Sequence, residues 1–333
     1  NSPMSNNVIT TPIFDAIGEV KVITSMFSAE YGSGGAVFNQ ISKGGTNQFH
    51  GMGYDYFRNT VLNANAYQFG RSAVKTPVIF HNIGGNIGGP VIKDKVFFFY
   101  GMERVINHGS NAVSYISVPT DIQRQGNFAG TNPIYDPASQ TVNANNVVTR
   151  QPFPNNLLLP ARLDPVAMKI QDFYPRANVA GTVANGIPQN NYQYVLPSNT
   201  PRIKYFGRFD ADVIRNHRIT GSATWNDNWT EGVGPVAPVN VNDSDIMNAN
   251  AQLSDYWNIS PTTLHEFRIG FMAEYDKIKP RTMDQGYPEK LGLRFSKADI
   301  FPAINITNIY GLAGGNPSHA NYQQNQYDIS DAM

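Results

Sequence analysis

The sequence contains no cysteine. Disulfide scaffolds, thiolate metal sites and cysteine nucleophiles are thereby excluded, and the absence suits an oxidising compartment, where a free thiol is a hazard. Charge is also scarce. Asp, Glu, Lys and Arg make up 15% of the 333 residues, against about 25% in an average soluble domain. The 25 basic and 25 acidic side chains cancel, so no cationic surplus exists to hold phosphate, and nucleic acid is not an expected partner. Nor is there an apolar run near the roughly 18 residues that a membrane-spanning helix needs. The densest apolar cluster, Val96-Phe97-Phe98-Phe99-Tyr100, is one strand long. Two classes remain: a soluble protein, or a β-barrel that crosses the bilayer on alternating strands. The chain opens Asn1-Ser2-Pro3 without a basic, then apolar, leader, and both ends are expected to lie inside a longer protein.

What the sequence does have is glycine (29), proline (22) and 12% aromatics. That composition excludes a helical bundle, and the aromatics argue against a disordered chain. Strand patterns dominate. In 205–213, Gly207, Phe209, Ala211 and Val213 share one face while Arg208, Asp210 and Asp212 share the other. After a turn at Arg215-Asn216-His217, Ile219, Gly221, Ala223 and Trp225 alternate with Arg218, Thr220, Ser222 and Thr224. In 266–276, Phe267, Ile269, Phe271, Ala273 and Tyr275 alternate with charged and small residues. A period of two with one apolar and one polar face is the signature of a half-buried strand. A soluble sandwich turns its apolar face inward, whereas a membrane barrel turns it to lipid and its charges to a wet lumen. Strands of about 9 to 12 residues favour the barrel, since that length crosses a bilayer at a tilt.

The connections are unequal. The one at 214–217 is tight. Those at about 109–200, 232–245 and 279–321 are long and rich in Pro, Asn and Gly, with one short amphipathic helix expected after Asp164-Pro165. Tight turns at one rim and long loops at the other are the asymmetry of outer-membrane barrels.

Four stretches carry a family resemblance. Residues 17–51 read IGEVKVITSMFSAEYGSGGAVFNQISKGGTNQFHG: a strand, an S-A-x-Y-G step, a glycine-rich turn, a second strand and G-T-N-x-F-H-G. This is similar to the end of the plug domain of TonB-dependent outer-membrane receptors, with Phe38 where a second aliphatic residue is usual. Residues 82–99, NIGGNIGGPVIKDKVFFF, resemble an early barrel hairpin of the Oar-like (carboxypeptidase-regulatory-like) subfamily. Leu159-Pro160-Ala161-Arg162-Leu163-Asp164-Pro165 and Tyr205-Phe206-Gly207-Arg208-Phe209-Asp210 resemble a loop and a later hairpin of the same receptors. The resemblance implies an all-β fold: a partial transmembrane antiparallel β-barrel with the C-terminal part of a plug domain. It divides the chain into plug (1–46) and barrel (47–333), and implies an outer-membrane location. It further implies an extracellular solute, such as an oligosaccharide, peptide or metal chelate, and an inner-membrane TonB-type partner engaged through a segment outside this sequence. No cofactor and no covalent chemistry are implied.

Within that frame the Tyr31 turn, with Gly32, Gly34 and Gly35, is expected to sense or gate. The loop aromatics Phe128, Tyr135, Phe153, Tyr192 and Tyr194 are the expected ligand contacts, because barrel loops carry specificity. Trp225, Trp229, Trp257, Tyr100, Tyr256 and Tyr275 read as an interfacial girdle. Asp210 and Asp212 read as lumenal carboxylates paired with Arg208 and Arg218 rather than as a calcium site. The chain has no Gly-x-Ser-x-Gly, and its six histidines show no metal-ligand spacing. The competing reading is a soluble or surface-exposed β protein, either an adhesin or a hydrolase with a histidine-centred site.

Overall fold

The computed structural model describes residues 13–23, 37–64, 77–110, 112–184, 186–294, 296–314 and 321–333. An N-terminal hairpin pairs β1 (Ile17–Ile23) with β2 (Val37–Ser42). The main sheet starts with β3 (His50–Asn59), β4 (Val78–Ile92) and β5 (Val96–Ser110). Short pieces follow: β6 (Ser114–Ile116), α1 (Asp121–Arg124), β7 (Thr141–Val142), β8 (Val148–Thr149), α2 (Pro165–Gln171), β9 (Thr182–Ala184), β10 (Ile187–Gln189), β11 (Tyr192–Tyr194) and β12 (Pro197–Asn199). The sheet resumes with β13 (Arg202–Ile214), β14 (His217–Thr230), β15 (Asn242–Ser260) and β16 (Thr263–Pro280), and after α3 (Tyr287–Leu291) ends in β17 (Tyr322–Ala332).

Eight strands form one antiparallel sheet in the order β3-β4-β5-β13-β14-β15-β16-β17, with β12 extending β5. The sheet is open between β3 and β17, so it is part of a barrel rather than a closed one. Tight turns close one rim at 92–96, 214–217 and 260–263; Asp94 (φ 61°) and Asn216 (φ 65°) supply the left-handed backbone two of them need. The strands run 10 to 19 residues, longer than the 9 to 12 expected, because β15 and β16 continue beyond the apolar belt toward the opposite rim.

Register decides the chemistry of each face. One row across the sheet is Phe98, Phe209, Gly221, Leu253, Ile269 and Ile329; the next is Ile87, Tyr100, Gly207, Ala223, Ala251, Phe271 and Tyr327; a third is Gly85, Met102, Tyr205, Trp225, Ala249, Ala273 and Asn325. Charges enter in the rows on either side: Asp255 and Asp331 below, Arg104 and Asp227 above. The eight steps from Ile219 to Asp227 cover about 27 Å of strand, or about 20 Å once tilted, close to the apolar band of an outer-membrane barrel. Asp255 and Asp331 are met on this face by His217 (2.5 Å) and His265 (2.8 Å), which offset the cost of a carboxylate at the belt's edge. The girdle is partly corrected. Trp257 stacks on His217 at the lower border, but Tyr100 and Trp225 lie within the belt. Tyr256 faces the other side, where its hydroxyl accepts from Arg268 (3.1 Å).

The polar face carries the N-terminal segment. Ile13 and Ala16 are buried against Phe99 and Phe206 of the sheet. The chain then leaves β2 along the sheet: a Cβ on Gly45 would fall on the backbone carbonyl of Phe98, so only glycine allows this approach.

Candidate functional site

Two places unite residues from distant parts of the chain. The first is the seam between the N-terminal hairpin and the sheet. Arg208 is held by Asp210 through two parallel bonds (Nε–Oδ2 2.9 Å, Nη2–Oδ1 2.8 Å), and Thr220 donates to the same carboxylate (2.9 Å). Asp210 is 1% exposed, and Arg218 stands 3.7 Å away. The guanidinium's remaining donors reach across to β2, bonding the Ser42 carbonyl (2.7 Å) and Oγ (3.0 Å). The pair expected inside the sheet is therefore present, and it also holds the hairpin. Beside it, a polar chamber of about 540 Å³ separates Phe14, Ile17 and Gln40 from Glu103, Arg202 and Lys204 of the wall. Glu103 is 4% exposed and lies within reach of Tyr54 Oη (3.5 Å) and Arg202 (3.9 Å).

The second place is at the long-loop rim. The connections expected as loops fold onto one another into a cap with its own core. Ile116, Val118 and Tyr174 come from the first, Val236 and Val239 from the second, and Leu291, Phe301 and Leu312 from the third. Apolar side chains this widely spaced leave no periodic trace, which is why the cap is not legible as an element. Phe173, Tyr287 and Phe301 form an aromatic triad with centroids 4.8 to 5.9 Å apart. Polar side chains tie the loops together. Asn191, 1% exposed, bonds both backbone groups of Val118 (2.8 Å each). Asn240 bonds Gly311 (2.6 Å) and Ala313, and Tyr174 donates to the Tyr310 carbonyl (2.7 Å); burial pushes the Tyr174 phenol up to about 12. Arg124, 6% exposed, gives four hydrogen bonds to the carbonyls of Pro119, Gln171, Tyr174 and Pro175 (2.7–3.3 Å), and burial lowers its pKa. It stands on α1, closed at its start by a Thr120–Gln123 capping box. α2 is the helix expected after Asp164-Pro165, and Asp164 caps it by accepting from Val166 (2.8 Å) and Ala167 (3.0 Å).

The cap surrounds a cavity of about 600 Å³ between α1, α2 and the loop segment 304–309. Of the expected ligand contacts, Phe128 lines this cavity. Tyr192 and Tyr194, stacked at 6.3 Å, pack against the cap core. Tyr135 is exposed and Phe153 lies under the Arg162 guanidinium at 5.4 Å; neither lines the cavity, though Ile134 beside them does. Tyr31, Gly32, Gly34 and Gly35 lie outside the described residues. Sequence reasoning missed Arg124, Asn191 and Asn240; the Thr-x-x-Gln box before Arg124 was the one local signal available. A third hollow, of about 660 Å³, lies on the apolar face where Gly207, Gly221, Ala223 and Ala251 sit between Phe209 and Phe271, and belongs to the surface that meets lipid. His81, His217 and His265 each engage an aspartate (2.8, 2.5 and 2.8 Å), and among the described residues no three His, Asp or Glu side chains converge as a metal site.

A family model described as "Outer membrane beta barrel domain" matches residues 41–333. The chain is also 30% identical over 229 residues to the TonB-dependent transporter Oar of Myxococcus xanthus. That match covers 66% of this chain and 17% of the relative, so the chain corresponds to a small part of the longer protein's length. No solved structure matches it.

Proposed function

The chain belongs to the outer membrane beta barrel domain family and is an outer-membrane protein, and from that premise we propose that it is the plug–barrel junction and cap of a TonB-dependent receptor that takes up a scarce solute. Residues 1–46 are then the end of the plug and 47–333 the first part of the barrel. The long-loop rim faces outward, the cap captures solute, and an energised inner-membrane partner displaces the plug. The Arg208–Ser42 contact carries this reading. It fixes an N-terminal hairpin to the polar face of a sheet whose opposite face is an apolar belt, the arrangement that a plugged lumen requires. Two carbonyl- and hydroxyl-directed bonds make a hold that gives way without covalent change. The polar chamber beside it, walled by Glu103, Arg202 and Lys204, is the proposed start of the solute's path. The protein supplies binding and passage, and no chemical step.

The test is expression of the receptor with its native flanking sequence, followed by separation of outer membranes. Heat-modifiable gel migration and solute uptake that stops when the energy-coupling system is deleted are expected. A soluble, monomeric product, or uptake indifferent to that deletion, refutes the proposal.

A further inference from the structure

The cap cavity differs in chemistry from the solutes that the family resemblance brought forward. Its walls are aliphatic: Ile304, Ile306 and Ile309 face Ala167 and Met168 of α2, and Phe128 is one of few rings. A saccharide site needs aromatic faces for the sugar rings and free hydrogen-bonding groups for the hydroxyls. Here the less exposed polar side chains at the wall are engaged within the protein, and Asn132 and Thr307, the others on the lining, are exposed to water. Asp164 caps α2. Gln123 accepts from the Thr120 amide (2.9 Å) and completes the capping box. Thr131 donates to the Phe128 carbonyl (2.8 Å), and Gln171 donates to Met168 Sδ (3.2 Å). A hydroxyl taken past these edge residues among the aliphatic side chains loses water and gains no free partner, at about tenfold or more in affinity for each group.

The one buried charge at the wall is positive. Arg124 spends four hydrogen bonds on carbonyls, and none of them goes to a carboxylate. The carboxylates around it, Asp121, Asp164 and Asp172, are exposed and screened by water, so a cationic ligand meets a buried like charge in a medium that screens poorly, whereas a neutral or anionic head does not. The volume, about 600 Å³, is that of a drug-sized small-molecule pocket.

We propose that the cap cavity between α1, α2 and Ile304–Ile309 is a binding site for an apolar, aliphatic-rich small molecule, neutral or anionic, rather than for an oligosaccharide. The assignment rests on the capture role given to the cap above. It makes the ligand contacts mostly aliphatic, with Phe128 the one expected aromatic that takes part.

The experiment uses the full receptor in lipid nanodiscs, with empty nanodiscs subtracted, and the fluorescent fatty acid 11-(dansylamino)undecanoic acid as probe. Saturable binding is expected. Ala167→Trp, which fills the cavity, and Ile306→Glu, which sets a carboxylate at its half-exposed mouth, are each expected to weaken it at least tenfold. Dodecanoate displaces the probe; dodecylammonium and maltohexaose do not. Absence of saturable binding, binding unchanged in both variants, or displacement by maltohexaose overturns the proposal. Outer-membrane location and energy-dependent uptake, measured on the same strains, separate this failure from failure of the transport reading. A receptor that sits in the outer membrane and imports solute while its cap ignores the probe refutes only the cavity assignment.

Discussion

The cap is a folded unit only if buried side chains such as Asn191 hold its loops together, and Asn191→Ala tests that directly. The amide of Asn191 acts as a strand partner for one residue: its Oδ1 accepts from the Val118 amide and its Nδ2 donates to the Val118 carbonyl, both at 2.8 Å. Val118 is 0% exposed and Asn191 1%, so water does not replace the lost bonds without opening the core. Leaving a buried donor and a buried acceptor unsatisfied at about 1–3 kcal/mol each gives a loss of about 2–6 kcal/mol. Even the lower figure raises the population of locally open cap about thirtyfold. Hydrogen exchange on the full receptor is the assay. Peptides covering 112–124 and 178–194 are expected to exchange faster by that factor, while peptides from β14, β15 and β16 keep their protection and the heat-modifiable band remains. Asn145→Ala, on an exposed tip, is expected to change neither. Unchanged exchange at 112–124 would refute the claim that these loops share a core, and equal loss of protection throughout the strands would refute the separation of cap from barrel.

Three other perturbations follow from the same geometry. Leu253→Arg, in the middle of the apolar belt, is expected to destabilise the assembled barrel by about 2–4 kcal/mol in a urea titration, while Gln252→Arg, one residue along and on the opposite face, costs much less; equal effects would contradict the assignment of faces. Asp210→Asn removes the counter-charge of Arg208 from a site that is 1% exposed; a loss of about 3 kcal/mol and faster tryptic cleavage at Lys43, as the hairpin loosens, are expected. On the cap, the Arg162 guanidinium holds the Asp136 carboxyl below the usual carboxylate range through bonds of 3.0 and 2.5 Å. A depressed folded pKa stabilises above the unfolded value and is lost as pH falls through the folded one. Protease resistance of 133–153 should therefore hold at pH 5 to 7 and fall below about pH 4, with Asp136→Asn losing it already at pH 7.

Much of this architecture is local, and so it was readable from residue order alone. The two-residue alternation in 205–213 and 266–276 assigns faces without knowledge of any partner, because a strand's side chains must point to opposite sides. The tight turn at Asn216 and the helix after Asp164-Pro165 are short-range decisions of the backbone. The Arg208–Asp210 pair was visible too, since residues two apart on a strand are neighbours on one face. Tertiary structure decided what depends on residues far apart. The long connections meet in one core because Val118, Val239 and Phe301 come from three different loops, and no local period relates them. Tyr192 and Tyr194 pack into that core because burial, not residue type, determines which aromatic is left for a ligand. Arg208 became the hold on Ser42, 166 positions away, only through the fold. The cavity's apolar character has the same origin: Asp164, Gln123 and Thr131 are polar residues, and folding turns their hydrogen bonds inward.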